Sequence, residues 1–354
     1  MVSIRFYFLF LFVLVTCSGC ETVAYYNQAL KGQLEIIKKQ RPLTELIENE
    51  NTSAELKNKL QNILEILDFA DQQLQLPVGG NFSHYVELGR PFVVWNVFAA
   101  GELSFDSKSW CYPVVGCASY RGYFQQYKAN AYAGTLREDG GDIYVGGVSA
   151  YSTLGWLDDP VLSAFVWRND KQLPALIFHE LAHRILYVRD DTEFNESFAS
   201  TVEQIALKKW LSNKNNPQAF DVYLKYKQNH DDFVVFVLSW KSRLDNMYRS
   251  DSSDNEKRAL KEKLYSAMVE DYEVFKDEHD NYKAYDNWMG EPLNNAKINT
   301  LSTYQARVPA FLALYKHHDG DFNKFVAACV RLSQQKKTIR DQQLDEFMIN
   351  IPKG

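Results

Sequence analysis

The pattern of apolar and polar positions divides this chain into four stretches. The first, FYFLFLFVLVT at positions 6–16, is apolar without a break, follows a single positive charge at Arg5, and runs into the small residues Ser18 and Gly19. It is short for a membrane span and has the size of a signal-peptide core, so residues 1–19 read as an export signal. The second stretch, 20–80, carries helical spacing in ETVAYYNQALKGQLEIIKKQ and again in NTSAELKNKLQNILEILDFADQQL. Thr52 with Glu55 matches a capping box, and Leu60, Ile63, Leu64 and Leu67 share one face, which predicts a helical pair.

The texture changes over 81–170. FVVWNVFAA and DIYVGG are rich in β-branched and aromatic residues and bounded by turn formers, as strands are. CYPVVGCASYRGYF between them reads as a strand and turn leading into a helix, and one small sheet is the economical arrangement. From 171 to 354 nearly every segment is helical. Pro174 suits a first turn, where its missing N–H costs nothing. NEKRALKEKLYSAMVEDYEVFKDEHDNYKAY predicts one long helix with a solvated charged face, and YQARVPAFLALYKHH and DFNKFVAACVRLSQ predict shorter ones. No internal repeat or long linker interrupts the chain. The expected fold class is α+β and helix-dominated, with a small sheet packed against a zincin-like helix pair and a C-terminal helical region.

Composition narrows the function. At 354 residues and 46% hydrophobic, the chain can bury a core for one large domain or two closely joined ones. A charged fraction of 24% sets it apart from disordered proteins. Its net charge of −6, with no basic stripe, excludes nucleic acid as an expected partner. Ser18 and Gly19 directly before Cys20 resemble a bacterial lipoprotein signal, which would make Cys20 the lipidated first residue of an exported chain. An uncleaved membrane anchor is the alternative. By the same resemblance Glu21, in place of Asp, favours the outer membrane. Cys111 and Cys117 are close enough in sequence for a bridge in an oxidising compartment, or else are two buried thiols.

The chemistry concentrates in LIFHELAHRILYVRDDTEFNESFAS, residues 176–200. His179 and His183, four apart, project from one face of a helix and can hold one metal ion from one side. Glu180, one step round, can reach a water on that ion without binding the ion, as in H-E-x-x-H sites. A catalytic zinc needs a third protein ligand and an open position. The metzincin third histidine would fall at Arg189, so acids remain. Glu196 is the leading candidate because it lies near the start of a second predicted helix that would fold back, and Asp191 and Glu193 are the alternatives. Asn195–Glu196 at a helix start also resembles the ligand helix of thermolysin-like enzymes. Glu203, two turns on, could orient a histidine from outside the ligand set or form a plain surface ion pair. Zinc would acidify water and polarise a peptide carbonyl, and Glu180 would take the water's proton. An oxyanion donor is expected from Tyr304, Tyr120 or Arg121. GGDIYVGGVSAYSTLGW could give an edge strand along which an extended peptide pairs.

Taken together, GCETVAYYNQALKGQ, CYPVVGCASYRGYF, DIYVGGVSAYSTLGWLDDPVLS, IFHELAHRILYVRDDTEFNESFA and YQARVPAFLALY resemble a predicted zinc aminopeptidase family of Gram-negative bacteria, gluzincin-like lipoproteins. The resemblance runs from Cys20 to beyond Tyr315. It implies Zn2+ on His179, His183 and Glu196, Glu180 as the catalytic acid/base, a peptide substrate, and a lipid anchor at the periplasmic face of the membrane. The Gly-x-Met-Glu-Asn type of sequence that binds a free α-amine in gluzincin aminopeptidases is not found, so an endopeptidase or wall amidase fits the same residues. A reading of a different class is a non-catalytic, lipid-anchored assembly protein with a structural or vestigial metal. The sequence leaves the oligomeric state open.

Overall fold

A computed structural model describes the backbone of residues 2–112, 116–150, 157–301 and 307–349, with side chains described from 21 to 347 within those ranges. The fold is α+β and dominated by helix. Helix α1 (Val2–Lys39) runs unbroken from the apolar run into the first amphipathic stretch, followed by strand β1 (Arg41–Pro42), α2 (Leu43–Glu48) and α3 (Ala54–Leu74). The strand region holds β2 (His84–Val86), β3 (Val94–Ala100), β4 (Trp110–Tyr112), β5 (Gly116–Ala118), β6 (Arg121–Tyr123), α4 (Gln126–Glu138), β7 (Asp142–Val148) and β8 (Val161–Leu162). Nine helices complete the described chain: α5 (Gln172–His183), α6 (Thr192–Asn213), α7 (Gln218–Tyr248), α8 (Asp254–Glu278), α9 (Asp286–Gly290), α10 (Asn295–Asn299), α11 (Val308–His317), α12 (Phe322–Ser333) and α13 (Lys337–Ile349).

In place of one small sheet the described residues form three, ordered β1-β2-β8, β6-β3-β7 and β4-β5. The cause is local: β3 is long enough for seven paired positions with β7, whereas the other strands are two or three residues and pair only with what lies beside them. β7 is an edge strand, as expected. Cys111 and Cys117 face each other across β4 and β5 and form a disulfide.

The α3 cap differs from expectation. Ser53, not Thr52, is the N-cap and accepts a hydrogen bond from the Leu56 N–H, so the Thr52–Glu55 box does not form. Leu60, Ile63, Ile66, Leu67, Phe69, Ala70 and Leu74 are the buried positions of that helix, while Leu64 is only partly covered. The long charged helix stops at Glu278, and Asp280 and Asn281 then take left-handed backbone conformations that a helix cannot continue. One of its charges is not solvated: Lys261 is buried on Asp142 of β7 at 2.7 Å.

Helix α1 docks on β6 through Gly32 and Gln28. A Cβ at Gly32 would come within 2.1 Å of the Phe124 ring, so only glycine allows the approach. Gln28 bonds both the Gly122 carbonyl and the Phe124 N–H. The opposite face of α1 leaves Val23, Tyr26, Leu30, Leu34 and Ile37 exposed at helical spacing. The largest core cluster surrounds α5 and α6, where Ile177, Phe178, Leu181, Phe198 and Phe311 have no exposure at all. Truncating such a residue costs about 3–5 kcal/mol for an aromatic, which fixes this helix pair more firmly than any surface contact.

Candidate metal centre

Helix α5 begins where Asn169 Oδ1 accepts the Lys171 and Gln172 N–H groups, with Pro174 in the first turn. Leu173, Ile177, Phe178 and Leu181 turn into the core and leave a polar stripe of His179, Glu180 and His183. The two imidazoles sit one turn apart with ring centroids 4.9 Å from each other. The helix ends at His183, so Ile185 and Leu186 pack from the connection rather than from the helix.

That connection is clamped. The Asn195 side chain is buried and bonds both polar groups of Val188, accepting its N–H at 2.8 Å and donating to its carbonyl at 2.7 Å. Asp190 takes a left-handed turn at φ 61°. Asp191 then caps α6 by accepting from Phe194 N–H, and its other oxygen pairs with the buried Arg340 of α13. Because the helix starts at Thr192, earlier than expected, Glu196 lies in its second turn rather than its first. Antiparallel packing brings His183 opposite Glu196 and His179 opposite Glu203.

His179 Nε2 lies 3.2 Å from His183 Nε2 and 3.3 Å from Glu196 Oε2, and Glu196 Oε1 is 3.5 Å from His183 Nε2. An ion held tetrahedrally by nitrogen and oxygen at about 2.0–2.1 Å requires ligand atoms about 3.3–3.4 Å apart. The separations, which reach both oxygens of Glu196, are of that size, and these residues can hold a metal ion.

Glu203 is an orienting partner, not a surface ion pair. Its carboxylate accepts from His179 Nδ1 at 2.8 Å and from the Tyr223 hydroxyl of α7, which leaves Nε2 of His179 for a metal. His183 Nδ1 is buried without a hydrogen-bond partner among the described residues. In the metal-free protein burial opposes a charge on His179, but the hydrogen bonds it donates to Glu196 and Glu203 overcome this and lift the imidazole to about 10. Burial and the neighbouring His179 push His183 down to about 4. Burial would raise Glu196 and Glu203, yet the His179 hydrogen bond and charge hold both below the usual carboxylate range. Such a triad of two imidazoles and a carboxylate, charged +1 and −1 with a second acid behind, is an electrostatic seat for a cation.

Glu180 faces a small pocket together with Phe82, Ala150, Asp159, Phe165 and Leu176. The pocket has room for about one water molecule. Burial raises the Glu180 carboxyl; His179 opposes this, Glu196 and Asp159 add to it, and Arg168 opposes it too. Arg168 donates to Ser149 Oγ at 3.2 Å, just past the end of edge strand β7. A carboxyl of raised proton affinity, one residue from His179 and facing a water-sized space, can move a proton.

Several anticipated residues lie elsewhere. Asp191 is occupied as a cap, and Glu193 pairs with Arg307 at 3.6 Å. Arg121 lies in β6, where its guanidinium pairs with Glu21 at 2.9 Å and stacks over the Tyr25 and Tyr132 rings. Tyr120 is 43% exposed against Phe98. Neither is joined to the histidine pair by a hydrogen bond or ion pair among the described residues. Tyr304 and the side chain of Cys20 lie outside the described residues. Sequence reasoning missed Tyr223, Arg168 and Asp159, which come from other elements. It also passed over Asn195 as a clamp, although an amide directly before a ligand acid at a helix start was a usable signal.

A family described as "Putative aminopeptidase" has a model that matches residues 24–344, most of the chain. Neither a curated protein nor a solved structure matches it.

Proposed function

Since the chain belongs to the "Putative aminopeptidase" family, we propose that it is a zinc-dependent metallopeptidase acting on peptides. The observation that carries the metal reading is the convergence of His179, His183 and Glu196, whose nitrogens and carboxylate oxygens lie 3.2–3.5 Å from one another across the three side chains. Two nitrogens and one oxygen from protein, with Glu203 fixing one imidazole, is a donor set that suits zinc and leaves a position open. When bound, zinc would supply Lewis acidity towards the peptide carbonyl and make water a stronger acid.

The chain's own residues account for the proton transfers. Glu180 takes a proton from the attacking water and then hands it to the departing amine nitrogen, a role that its raised proton affinity suits. Glu203 and Tyr223 keep His179 in the tautomer that presents Nε2. An extended peptide can add along edge strand β7, which leads through Ser149 and Ala150 to the pocket in front of Glu180. Aminopeptidase, as opposed to endopeptidase, action is the reading that the family description supports.

The proposal includes export and a lipid anchor at Cys20, on the periplasmic face of the membrane. Its support is the residue pattern before Cys20 and the exposed apolar stripe from Val23 to Ile37 directly after it. Among the described residues no helix is long and apolar enough to cross a membrane.

The test is peptide hydrolysis by the parent and by Glu180→Gln. The parent should lose activity to a chelator and regain it with zinc. Glu180→Gln should keep the metal and lose about 10²–10⁴-fold in turnover, the usual share of a general acid–base. A Glu180→Gln protein as active as the parent would overturn the assignment.

A further inference from the structure

We propose that the exposed face of α1, from Val23 to Ile37, lies flat on an anionic phospholipid bilayer and sets the orientation of the fold against it. This deepens the anchoring at Cys20 proposed above and rests on it. Val23, Tyr26, Leu30, Leu34 and Ile37 are 40–68% exposed and follow one another at spacings of three and four. At about 3.6 residues per turn they fall within an arc of about 80°, a stripe about 21 Å long on one side of the helix. It exposes roughly 500 Å² of mainly apolar surface, near the top of the range for the largest patch on a monomer, and such patches mark interaction sites.

Continuity, charge and area point to lipid as the occupant. The stripe lies on the helix that runs on unbroken from the apolar stretch at 6–16. Val23 follows Cys20 by three residues, about 4.5 Å along the axis. Attachment of that end to a bilayer, by a lipid or by the apolar run, therefore delivers the stripe to the bilayer surface. The chain as a whole carries −6, yet the charge beside the stripe is positive. Lys31 and Lys38, two turns apart on one flank, are exposed and have no ion pair among the described residues. The acids of this stretch are already matched, Glu21 with Arg121 and Glu35 with Arg90, each at 2.9 Å. Lysines beside an apolar face lay their stems along it and reach lipid phosphates with their ammonium groups. A second copy is the poorer fit, because a stable dimer buries about 800 Å² on each partner, more than the stripe offers.

The opposite face of this part of α1 is fixed to the fold. Ile36 is buried in the main core, Gln28 is bonded to the Gly122 carbonyl and the Phe124 N–H, and Gly32 lies against the Phe124 ring. Gly122 belongs to β6, in the same sheet as β7, whose end leads to the pocket in front of Glu180. A helix locked in this way is part of the body and not a swinging tether. Its contact with lipid therefore sets the tilt of the cleft relative to the bilayer, and with it the side from which a peptide arrives.

The experiment uses the purified full chain in vesicles of phosphatidylethanolamine and phosphatidylglycerol. Leu34→p-benzoylphenylalanine is the photocrosslinking probe, and Val274→p-benzoylphenylalanine, 57% exposed on α8, is its control. Sedimentation with the vesicles reads the anchor, and mass spectrometry after irradiation reads what covers position 34. Phospholipid adducts at 34 should exceed those at 274 by about tenfold. They should fall by about threefold or more when Lys31→Gln and Lys38→Gln are combined with the probe. A chain that sediments without an excess of lipid adduct at 34 overturns the inference and leaves the anchor in place. Crosslinking of position 34 to a second copy overturns it in favour of a dimer face. Lipid adducts indifferent to the two lysines overturn the anionic character of the surface. A chain that does not sediment overturns both the anchor and the stripe's role.

Discussion

Replacing Glu203 with Gln removes a charge without removing a side chain, and the structure sets the size of the effect. The Glu203 carboxylate is buried between His179 Nδ1 at 2.8 Å and the Tyr223 hydroxyl. A glutamine can still accept the imidazole N–H through its amide oxygen and meet the tyrosine oxygen through its NH2, so packing and tautomer survive. What is lost is the negative charge that makes His179 a stronger donor to a cation. Removing such an outer partner typically weakens metal binding 10–100-fold, about 1.4–2.8 kcal/mol. Glu203→Gln should therefore bind zinc 10–100-fold less tightly in competition with a calibrated chelator at pH 7.5, with an unchanged circular dichroism spectrum. Tyr223→Phe should follow in the same direction and by less. Affinity within threefold of the parent in Glu203→Gln would refute the idea that this acid tunes the site.

Three further outcomes follow from the same geometry. In the metal-free protein His179 is raised to about 10 and His183 lowered to about 4, so near pH 7.5 one imidazole carries a proton and the other does not. Zinc must displace that proton: apparent affinity should rise about tenfold per pH unit between about 4 and about 10 and level off above that, with about one proton released per ion near pH 7.5. Calorimetry in buffers of different ionisation enthalpy reads this, and zero release would contradict the pairing of His179 with the two glutamates. Arg340→Ala strips a buried partner from Asp191 at the start of α6 and should cost about 3–5 kcal/mol in urea unfolding. Asn195→Ala removes both clamps on Val188, and each buried group left unpaired costs about 1–3 kcal/mol. It should also weaken zinc binding, because Glu196 is the next residue; unchanged affinity would show that the helix pair alone positions the ligand.

The helices were the most legible part of this chain. His179 and His183 stand on one face because the apolar period of α5 is regular, and a four-residue spacing has one meaning on a helix. That Glu196 would lie beside the two histidines was legible because only a short connection separates the two helices. What failed was the helix start. Asp191 caps α6 because Arg340, some 150 positions away, secures it there, and local sequence does not contain that partner. The three separate sheets were missed for a similar reason, since two- and three-residue strands carry too little pattern to fix their pairing. The Thr52–Glu55 box gave way to Ser53 one position on, where the choice between adjacent hydroxyls lies below what a motif resolves. Tyr223, Arg168 and Asp159 belong to elements that reach the site only through tertiary packing. Their sequence surroundings gave no sign of it.

The most direct test of the central claim is the metal content of the purified full chain beside its Glu196→Ala variant. The account predicts about one zinc per parent chain and little in the variant, because that substitution removes one of three ligands and leaves a two-histidine site. Equal zinc in both would place the third ligand elsewhere. No zinc in either, from folded protein prepared without chelator, would make the two histidines structural residues of a helix pair and end the metallopeptidase account.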